Sequence, residues 1–290
     1  MEVDFSNIKV IGFDADDTLW VNETYFRDTE ELFADLLEGF ETKNKIDQEL
    51  FKKEMDNLEL YGYGIKGFML SMIESALELS NNRVSQATIM KILNLGKDMI
   101  SHPVELLDGV KEVLLALKNK YRLIVLTKGD LLDQERKLER SGLSEYFHHV
   151  EVLSDKKELN YKNLLEHLEI GVDEFLMIGN SLKSDVLPLL NIGAKAVHVP
   201  FHTTWQHEQV SIEENDYKYL KLNRFMEVKN TSILKNDPTE EKVEYKNFPM
   251  VPRVVFGNGS FDQLGTILMA KRKNSEAPFI FLVDDVFEGK

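Results

Sequence analysis

Three aspartates stand within four consecutive positions, directly after a short apolar run. The stretch is VIGFDADDTLW, residues 10–20, and its acids are Asp14, Asp16 and Asp17. Carboxylates this close repel one another and destabilise a fold unless a cation or a shared proton relieves the repulsion. Mg²⁺ prefers oxygen ligands, so the cluster predicts a divalent-cation site. Taken alone, the stretch also suits a helix N-terminus that carries solvated acids.

Further polar segments follow apolar runs in the same way. One is TKGD, residues 127–130, another is GNSLKSD, residues 179–185, and the lysines Lys156 and Lys157 follow a third run. In an open parallel sheet, ligands bind beyond the carboxyl ends of the strands. The joint arrangement therefore favours a ligand site at one edge of a sheet over a simple helix cap.

Short apolar runs of strand type alternate with helical patterns along the chain. This order is typical of an α/β domain with a mostly parallel sheet. The runs predicted as strands are Val10–Asp14, Leu123–Thr127, His149–Leu153, Phe175–Gly179 and Ala196–Val199. Such a sheet would bring the polar segments to the same edge.

A long helical segment separates the first two predicted strands. It runs from Asn22 to Ser101, about 80 residues, which is far more than a crossover connection requires. The glycine-rich LYGYGIKG, residues 60–67, is predicted as a turn, either a plain interhelical turn or one that faces a ligand. We therefore predict an inserted helical subdomain, in which apolar stripes at helical spacing pack helix against helix. The stripes are Phe26, Phe33, Leu37 and Phe40, and Ile65, Phe68, Met69, Met72, Ile73 and Leu77.

The composition argues against several functional classes. The 290 residues are 43% hydrophobic, which suits a soluble globular protein, and the net charge of -15 opposes general binding to nucleic acid or to an anionic membrane. The absence of cysteine excludes disulfides, thiolate metal sites and a cysteine nucleophile. No stretch approaches the roughly 20 apolar residues of a membrane span, and no signal-peptide pattern opens the sequence, so we expect a cytoplasmic protein.

Four motifs resemble, in order, those of the haloacid dehalogenase superfamily of phosphotransferases. DADDTL resembles the first motif, Asp-x-Asp-x-Thr, Thr127 the second, Lys156 the third and GNSLKSD the acidic fourth. The resemblance extends from about Val10 to His207, and the helical insertion resembles the C1 cap of this superfamily. The implied bounds are residues 1–21 and 101–235 for a Rossmann-like core and residues 22–100 for the cap.

The resemblance also implies roles for individual residues. Asp14 would be the nucleophile that forms an aspartyl-phosphate, and Asp16 would protonate the leaving oxygen and later take a proton from water. Lys157 is the competing candidate for the third motif, since the two lysines differ only in register. Mg²⁺ would be the cofactor. The implied metal ligands are Asp14, the Asp16 backbone carbonyl, Asn180 and Asp185, and the implied phosphoryl-binding residues are Thr127, Lys128, Gly129 and Lys156.

One residue departs from the family pattern. The fourth motif usually opens with aspartate, whereas this chain has Asn180, which offers a carbonyl oxygen without a charge. We therefore expect a weakened or altered metal site, in which Asp185 supplies more of the attraction. Asp16 argues for phosphate chemistry, because dehalogenases of this superfamily lack an acid at that position.

These features predict a Mg²⁺-dependent phosphomonoester hydrolase for a small phosphorylated metabolite. The segment LTKGDLLDQERKLERSGL resembles that of phosphatases acting on nucleoside monophosphates and on phosphorylated sugar acids. Two alternatives stay open, a phosphomutase of the same superfamily and a non-catalytic binding module with a disabled site. We expect neither a nucleic-acid nor a membrane partner, and either a monomer or a homodimer.

Three histidines follow the fifth predicted strand. They are His198, His202 and His207 in the segment HVPFHTTWQHE, and they raise the alternative of a second metal site. No paired acid at helical spacing accompanies them, so the pattern favours a loop anchored by Trp205.

The last part of the chain has a different character. Residues 236–250 are polar and are predicted as a linker. Residues 251–290 resemble the opening of iron-containing alcohol dehydrogenases, without the cofactor glycines and metal ligands of that family, so we expect no oxidoreductase activity from them. The alternative is an ordinary C-terminal appendage of the phosphatase.

Overall fold

A six-stranded parallel sheet forms the centre of the protein. The computed structural model describes residues 3–210 and 218–235. The strands are β1 (Val10–Phe13), β2 (Arg122–Lys128), β3 (His149–Leu153), β4 (Phe175–Gly179), β5 (Lys195–His198) and β6 (Leu220–Lys221). Their order across the sheet is β3-β2-β1-β4-β5-β6, so the first strand of the chain lies in its interior.

The sequence predicted most of this sheet. β3 and β4 have the predicted bounds, β1 ends one residue earlier than predicted, and β2 and β5 differ from the prediction by one residue at both ends. The α/β class with a parallel sheet is therefore confirmed. β6 was missed because it contains two residues, which is too short to form an alternating pattern.

The carboxyl ends of β1, β2 and β4 lie close together along the sheet. Phe13 is in register with Val125 of β2 and with Ile178 of β4. The Asp14 N–H, one residue further on, still donates to the Ile178 carbonyl at 3.0 Å. The polar residues that follow β1, β2 and β4 consequently begin at the same edge of the sheet.

Of the helices between β1 and β2, the first four confirm the predicted helical insert. They are α1 (Glu23–Leu37), α2 (Lys43–Tyr61), α3 (Ile65–Leu79) and α4 (Gln86–Ser101). These helices share an apolar core that is distinct from the two cores on the faces of the sheet. Most members of the predicted stripes belong to this core, but two of them were misplaced. Leu77 is 37% exposed because α3 turns the adjacent Ala76 inward, and Ile65 lies in a cavity wall.

A glycine-rich turn connects α2 with α3. Gly62 and Gly64 have φ values of 71° and 110°, a region that strongly favours glycine. A side chain on Gly64 would come within 3.2 Å of the Asp130 backbone nitrogen, so its absence lets this turn approach the sheet domain closely. The turn both joins two helices and lines the cavity described below.

The remaining helices pack around the sheet. They are α5 (Val110–Leu117), α6 (Leu131–Ser141), α7 (Glu158–His167), α8 (Leu187–Asn191) and α9 (Ser232–Lys235). α6 starts immediately beyond β2, because the Asp130 carboxylate accepts a hydrogen bond from the Asp133 N–H at 3.1 Å and caps the helix. Gly142, at φ 69°, ends it.

Among residues 3–210 and 218–235, no helix has the length and apolar character that crossing a bilayer requires. The predicted linker, residues 236–250, and the predicted alcohol-dehydrogenase-like segment, residues 251–290, lie outside the described residues.

Candidate active site

Side chains from several strand ends meet at the carboxyl edge of the sheet. The Lys156 ammonium lies 2.5 Å from Asp14 Oδ1 and 2.7 Å from Asp185 Oδ1. All three side chains are buried. Burying like charges is costly unless a cation offsets them, and Lys156 is that cation in this arrangement. We call this part of the molecule the core floor, and its residues are Asp14, Asp16, Thr127, Lys156, Asn180 and Asp185.

Lys156 is held in its charged form. Burial alone would lower the pKa of Lys156, but the carboxylates of Asp14 and Asp185 outweigh burial and raise it. Lys157, the competing lysine, has a 74% exposed side chain and pairs with Asp155 at 2.7 Å. The structure therefore brings Lys156, and not Lys157, into the core floor.

Asp185 lies against the end of β4 because residue 179 has no side chain. A Cβ atom on Gly179 would be 2.4 Å from the Asp185 carboxyl group. The Ser181 N–H donates to Asp185 Oδ2 at 3.0 Å and fixes the orientation of the carboxylate. A larger residue at position 179 would displace this acid from the core floor.

The donor set at this edge suits Mg²⁺. The Thr18 hydroxyl lies 3.0 Å from Asp14 Oδ2 and 3.3 Å from Asn180 Oδ1, so the amide and the carboxylate share one neighbour. The position of the Lys156 ammonium demonstrates that one cationic centre can contact Asp14 and Asp185 together. In the described part of the chain, no three His, Cys, Asp or Glu side chains are arranged to hold a metal. A metal here would instead take two carboxylates, completed by amide and backbone oxygens.

The Asp16 carboxylate is held by three donors. Trp20 Nε1 donates to Oδ1 at 2.8 Å, Gln134 Nε2 donates to Oδ2 at 2.7 Å, and Lys137 Nζ lies 3.0 Å from Oδ1. Burial would lower the pKa of Lys137, but Asp16 and Asp133 outweigh burial and raise it. Lys137 is therefore a cation that orients the second acid of the first motif.

Asp17, the third acid of the cluster, is a turn residue. Its φ of 60° is left-handed, and its carboxylate accepts from the N–H groups of Asn22 and Glu23 at 2.8 and 3.0 Å. These bonds satisfy donors at the start of α1. Asp17 thus connects the end of β1 to the first cap helix and adds no ligand to the core floor.

The end of β2 supplies Thr127, Lys128 and Gly129. The buried Thr127 hydroxyl donates to the Lys128 carbonyl at 3.1 Å. The Lys128 ammonium pairs with Glu208 at 2.5 Å and lies 4.3 Å from the centre of the Tyr63 ring. Gly129 has a φ of 121°, which only glycine adopts readily. All three residues line one cavity together with the core floor.

Sequence reasoning missed Gln134, Lys137 and Glu208. Gln134 and Lys137 are three residues apart on α6 and so lie on one face, directly after the second motif, and this spacing was a usable signal. Burial would raise the pKa of Glu208, but Lys128 outweighs burial and lowers it to about 2. Because 80 positions separate Glu208 from Lys128, no local pattern could have revealed the pair.

The three histidines contact three different neighbours. His198 Nε2 lies 3.0 Å from the Asn180 carbonyl, and the His207 ring centre is 4.9 Å from that of Trp205. His202 packs on the adjacent Phe201 ring. They therefore share no centre at which a second metal would be held.

The core floor opens into a cavity of about 170 Å³ whose opposite side is formed by the helical insert. A cavity next to convergent polar groups is the usual form of a small-molecule site. We call its opposite side the cap wall, and its residues are Glu23, Phe26, Glu30, Glu54, Asn57 and Phe68.

The cap wall contains more acids than cations. Arg27 pairs with Glu23 at 2.8 Å and with Glu30 at 2.9 Å. Glu54 forms no ion pair with any described residue, and burial, followed by repulsion from Glu30 and Glu23, raises the pKa of Glu54 to about 8. The cap wall thus has fewer cations than carboxyl groups, and a pKa of about 8 keeps the Glu54 carboxyl mostly protonated near neutral pH until a cation binds beside it.

Contacts between the cap and the sheet domain bound the cavity at the glycine-rich turn. Lys66 Nζ lies 2.9 Å from Asp130 Oδ1, and the Tyr63 ring meets Trp205 edge-on, with ring centres 6.1 Å apart. These contacts join elements that are distant in sequence and position the cap wall opposite the core floor.

The fold and the site together define a capped α/β protein, with acids at the end of an interior strand of a parallel sheet and a helical cap inserted after that strand. A model of the haloacid dehalogenase-like hydrolase family matches residues 8–193, a range that includes every residue of the core floor. The chain belongs to this family.

Relatives with assigned activities match a part of the chain. A glyceraldehyde 3-phosphate phosphatase of Pyrococcus abyssi is 31% identical over 96 residues, which is 31% of this chain and 40% of that protein. An N-acylneuraminate-9-phosphatase of Mus musculus is 30% identical over 96 residues, or 31% of this chain and 39% of that protein. The chain thus matches these curated relatives over about two fifths of their length.

Solved structures match a larger part of the chain. A haloacid dehalogenase-like family hydrolase from Xanthomonas campestris is 36% identical, with a TM-score of 0.69 over 77% of this chain and 93% of the other. The hydrolase YfnB from Bacillus subtilis, solved bound to magnesium, has a TM-score of 0.52 at 16% identity, over 77% of this chain and 97% of the other. The second similarity is one of fold alone.

Proposed function

We propose that this protein hydrolyses the phosphomonoester of a small metabolite in a Mg²⁺-dependent reaction. The observation that carries the proposal is the Asp14 carboxylate at the end of β1, paired with the buried Lys156 ammonium and facing a cavity of about 170 Å³. The names of the curated relatives, a glyceraldehyde 3-phosphate phosphatase and an N-acylneuraminate-9-phosphatase, support sugar phosphates as the substrate class.

In this proposal Asp14 is the nucleophile. Its carboxylate oxygen forms a bond to phosphorus while the bond from phosphorus to the alcohol oxygen breaks, which leaves an aspartyl-phosphate. Asp16 gives a proton to the departing alcohol and later accepts one from the water that releases inorganic phosphate. Lys137 and Gln134 support this role because they hold the Asp16 carboxylate at 3.0 and 2.7 Å.

Phosphoryl oxygens would be held by Thr127, Lys128, Gly129 and Lys156. Phosphoryl transfer needs mainly positioning and charge stabilisation, since its transition state is loose. Lys156 contributes a fixed positive charge, and Gly129 lets the backbone approach the phosphate without a side chain. Lys128 would exchange part of its contact with Glu208 for a phosphoryl oxygen.

The residues that would hold Mg²⁺ are Asp14, Asp185, Asn180 and the backbone carbonyl of Asp16. All four offer oxygen, and the first two already share one cation in the structure. When bound, Mg²⁺ supplies positive charge that screens the nucleophilic carboxylate from the negative phosphate. The magnesium-bound relative of the same fold supports this choice of metal.

The test is release of inorganic phosphate from p-nitrophenyl phosphate by the full chain in the presence of Mg²⁺. We expect turnover that EDTA abolishes and added Mg²⁺ restores. A folded protein that releases no phosphate from this ester or from a panel of sugar phosphates would contradict the proposal. It would favour the binding-module alternative, which Asn180 motivates. Transfer of phosphate to a sugar without its release would identify a phosphomutase.

A further inference from the structure

The cap side of the cavity has no cationic side chain. Among the described cap residues that line the cavity, the charged ones are Glu23, Glu30 and Glu54. The nearby Arg27 pairs with the first two, so one guanidinium faces three carboxylates. Carboxyl groups that outnumber their cations therefore lie where the alcohol part of a bound phosphate ester would extend.

Apart from Glu23 Oε1, which pairs with Arg27, two buried acceptors on cavity residues have no hydrogen-bond partner in the described part of the chain. They are Glu54 Oε1 and Gln134 Oε1. The orientation of the Gln134 amide is fixed, because its Nε2 donates to two acceptors, Asp16 Oδ2 and the Lys128 carbonyl. Buried polar atoms are normally satisfied, so both orphaned acceptors point to a ligand that brings hydrogen-bond donors.

Aromatic side chains complete this end of the cavity. Phe26 and Phe68 pack with ring centres 5.0 Å apart, and both line the cavity near the acids. The faces of aromatic rings attract cations, including ammonium groups. Acids, orphaned acceptors and ring faces all disfavour an anionic group and favour a cationic one.

Building on the proposed function, we infer that the substrate is the phosphate ester of an amino alcohol or amino sugar. Its protonated amine would be bound by Glu54 beside the rings of Phe26 and Phe68, and a hydrogen-bond donor of the substrate would reach Gln134 Oε1. A second phosphate or a carboxylate on the alcohol part would find no cation on the described cap wall and would be rejected.

The experiment compares matched esters on the full chain with Mg²⁺. One series is 2-aminoethyl phosphate, 2-hydroxyethyl phosphate and phosphoglycolate, and the other is glucosamine 6-phosphate, glucose 6-phosphate and 6-phosphogluconate. We expect kcat/KM for the better amine to exceed that of its hydroxyl analogue by about tenfold, as one charge-assisted contact provides, with the carboxylate slowest. Equal or faster turnover of the hydroxyl or carboxylate analogue in both series would overturn the inference.

The variant Glu54→Gln keeps the shape of the side chain and removes its charge. The amine-to-hydroxyl ratio of kcat/KM should fall to within about twofold of unity, whereas Glu59→Gln, at an exposed position of α2, should preserve the wild-type ratio. An unchanged ratio in folded Glu54→Gln would also overturn the inference. The wild-type series remains decisive if that variant does not fold.

Turnover of p-nitrophenyl phosphate separates this inference from the proposed function. If the wild-type protein hydrolyses that ester but shows no preference for amines, the substrate inference fails and the phosphatase proposal stands. If it hydrolyses no ester at all, the phosphatase proposal itself fails.

Discussion

The core floor and the cap wall face each other across one cavity, but they differ in whether their acids are paired with cations. On the core floor, Asp14 and Asp185 share the Lys156 ammonium, and Asp16 has Lys137. On the cap wall, Glu54 has no counter-ion in the described part of the chain. A site that is electrostatically compensated before substrate binds is organised for a reaction, whereas an uncompensated surface is organised to select a partner. The difference suggests that chemistry belongs to the sheet and specificity to the helical insert.

The variant Asp14→Asn gives the strongest test of whether the core floor carries out the chemistry. We expect turnover to fall by more than about 10⁴-fold, because an amide is a poor nucleophile and cannot form the acyl-phosphate. Phosphate release from p-nitrophenyl phosphate measures the loss. Asp108→Asn, at an exposed position, is the matched control. Near-normal activity in folded Asp14→Asn would remove the core floor from the chemistry.

Asp16→Asn should have the next largest effect. Loss of acid–base help lowers kcat by roughly 10² to 10⁴. Steady-state kinetics with p-nitrophenyl phosphate and a less activated alkyl phosphate should show a larger loss for the alkyl ester, whose leaving group needs a proton. A change confined to KM would contradict the acid–base role.

The variant Lys137→Met tests whether the cation beside Asp16 on the core floor contributes to the reaction. Removing the cation 3.0 Å from Asp16 should lower kcat by about tenfold, the usual worth of a charge-assisted hydrogen bond. The acidic limb of the pH–rate profile should also shift, which a purely structural defect would not cause. Arg136→Met, at an exposed position of the same helix, should leave both kcat and the profile unchanged.

Asn180→Asp would add a charge to the core floor where the family pattern usually has one. We expect the Mg²⁺ concentration for half-maximal activity to fall several-fold, because a third carboxylate strengthens the attraction for a hard cation. A Mg²⁺ titration of activity at constant ionic strength measures this. An unchanged titration would place Asn180 outside the metal site.

The smallest effect concerns stability and the cap wall. The pKa of Glu54 is about 8 in the folded protein against an ordinary value of 4.5, so its stabilising contribution is complete below pH 4.5 and is lost as pH rises through 8. Glu54→Gln does not titrate and avoids that loss. The melting temperature of the variant relative to wild type should therefore rise between pH 5 and pH 9, by roughly 2–4 °C for about 1 kcal/mol. A difference independent of pH would contradict the uncompensated charge.

The same contrast explains what could be predicted from the sequence. The strands, the helical insert and the places of Asp14 and Asp185 follow from local patterns, since parallel strand ends necessarily meet at one edge. The sequence could not decide between Lys156 and Lys157, because that choice depends on where the backbone turns after β3. The residues of the cap wall could not be predicted either, because Glu54 comes near the cavity only through the packing of four helices.

The bridge formed by Lys156 has a practical consequence for handling the protein. A buried pair of carboxylates that depended on an external ion would come apart in a chelator, as happens in domains whose folding requires their metal. Here a covalently attached cation is already in contact with both Asp14 and Asp185. The apoprotein should therefore survive purification and storage in EDTA with its architecture intact, and reconstitution should require only an added salt rather than refolding.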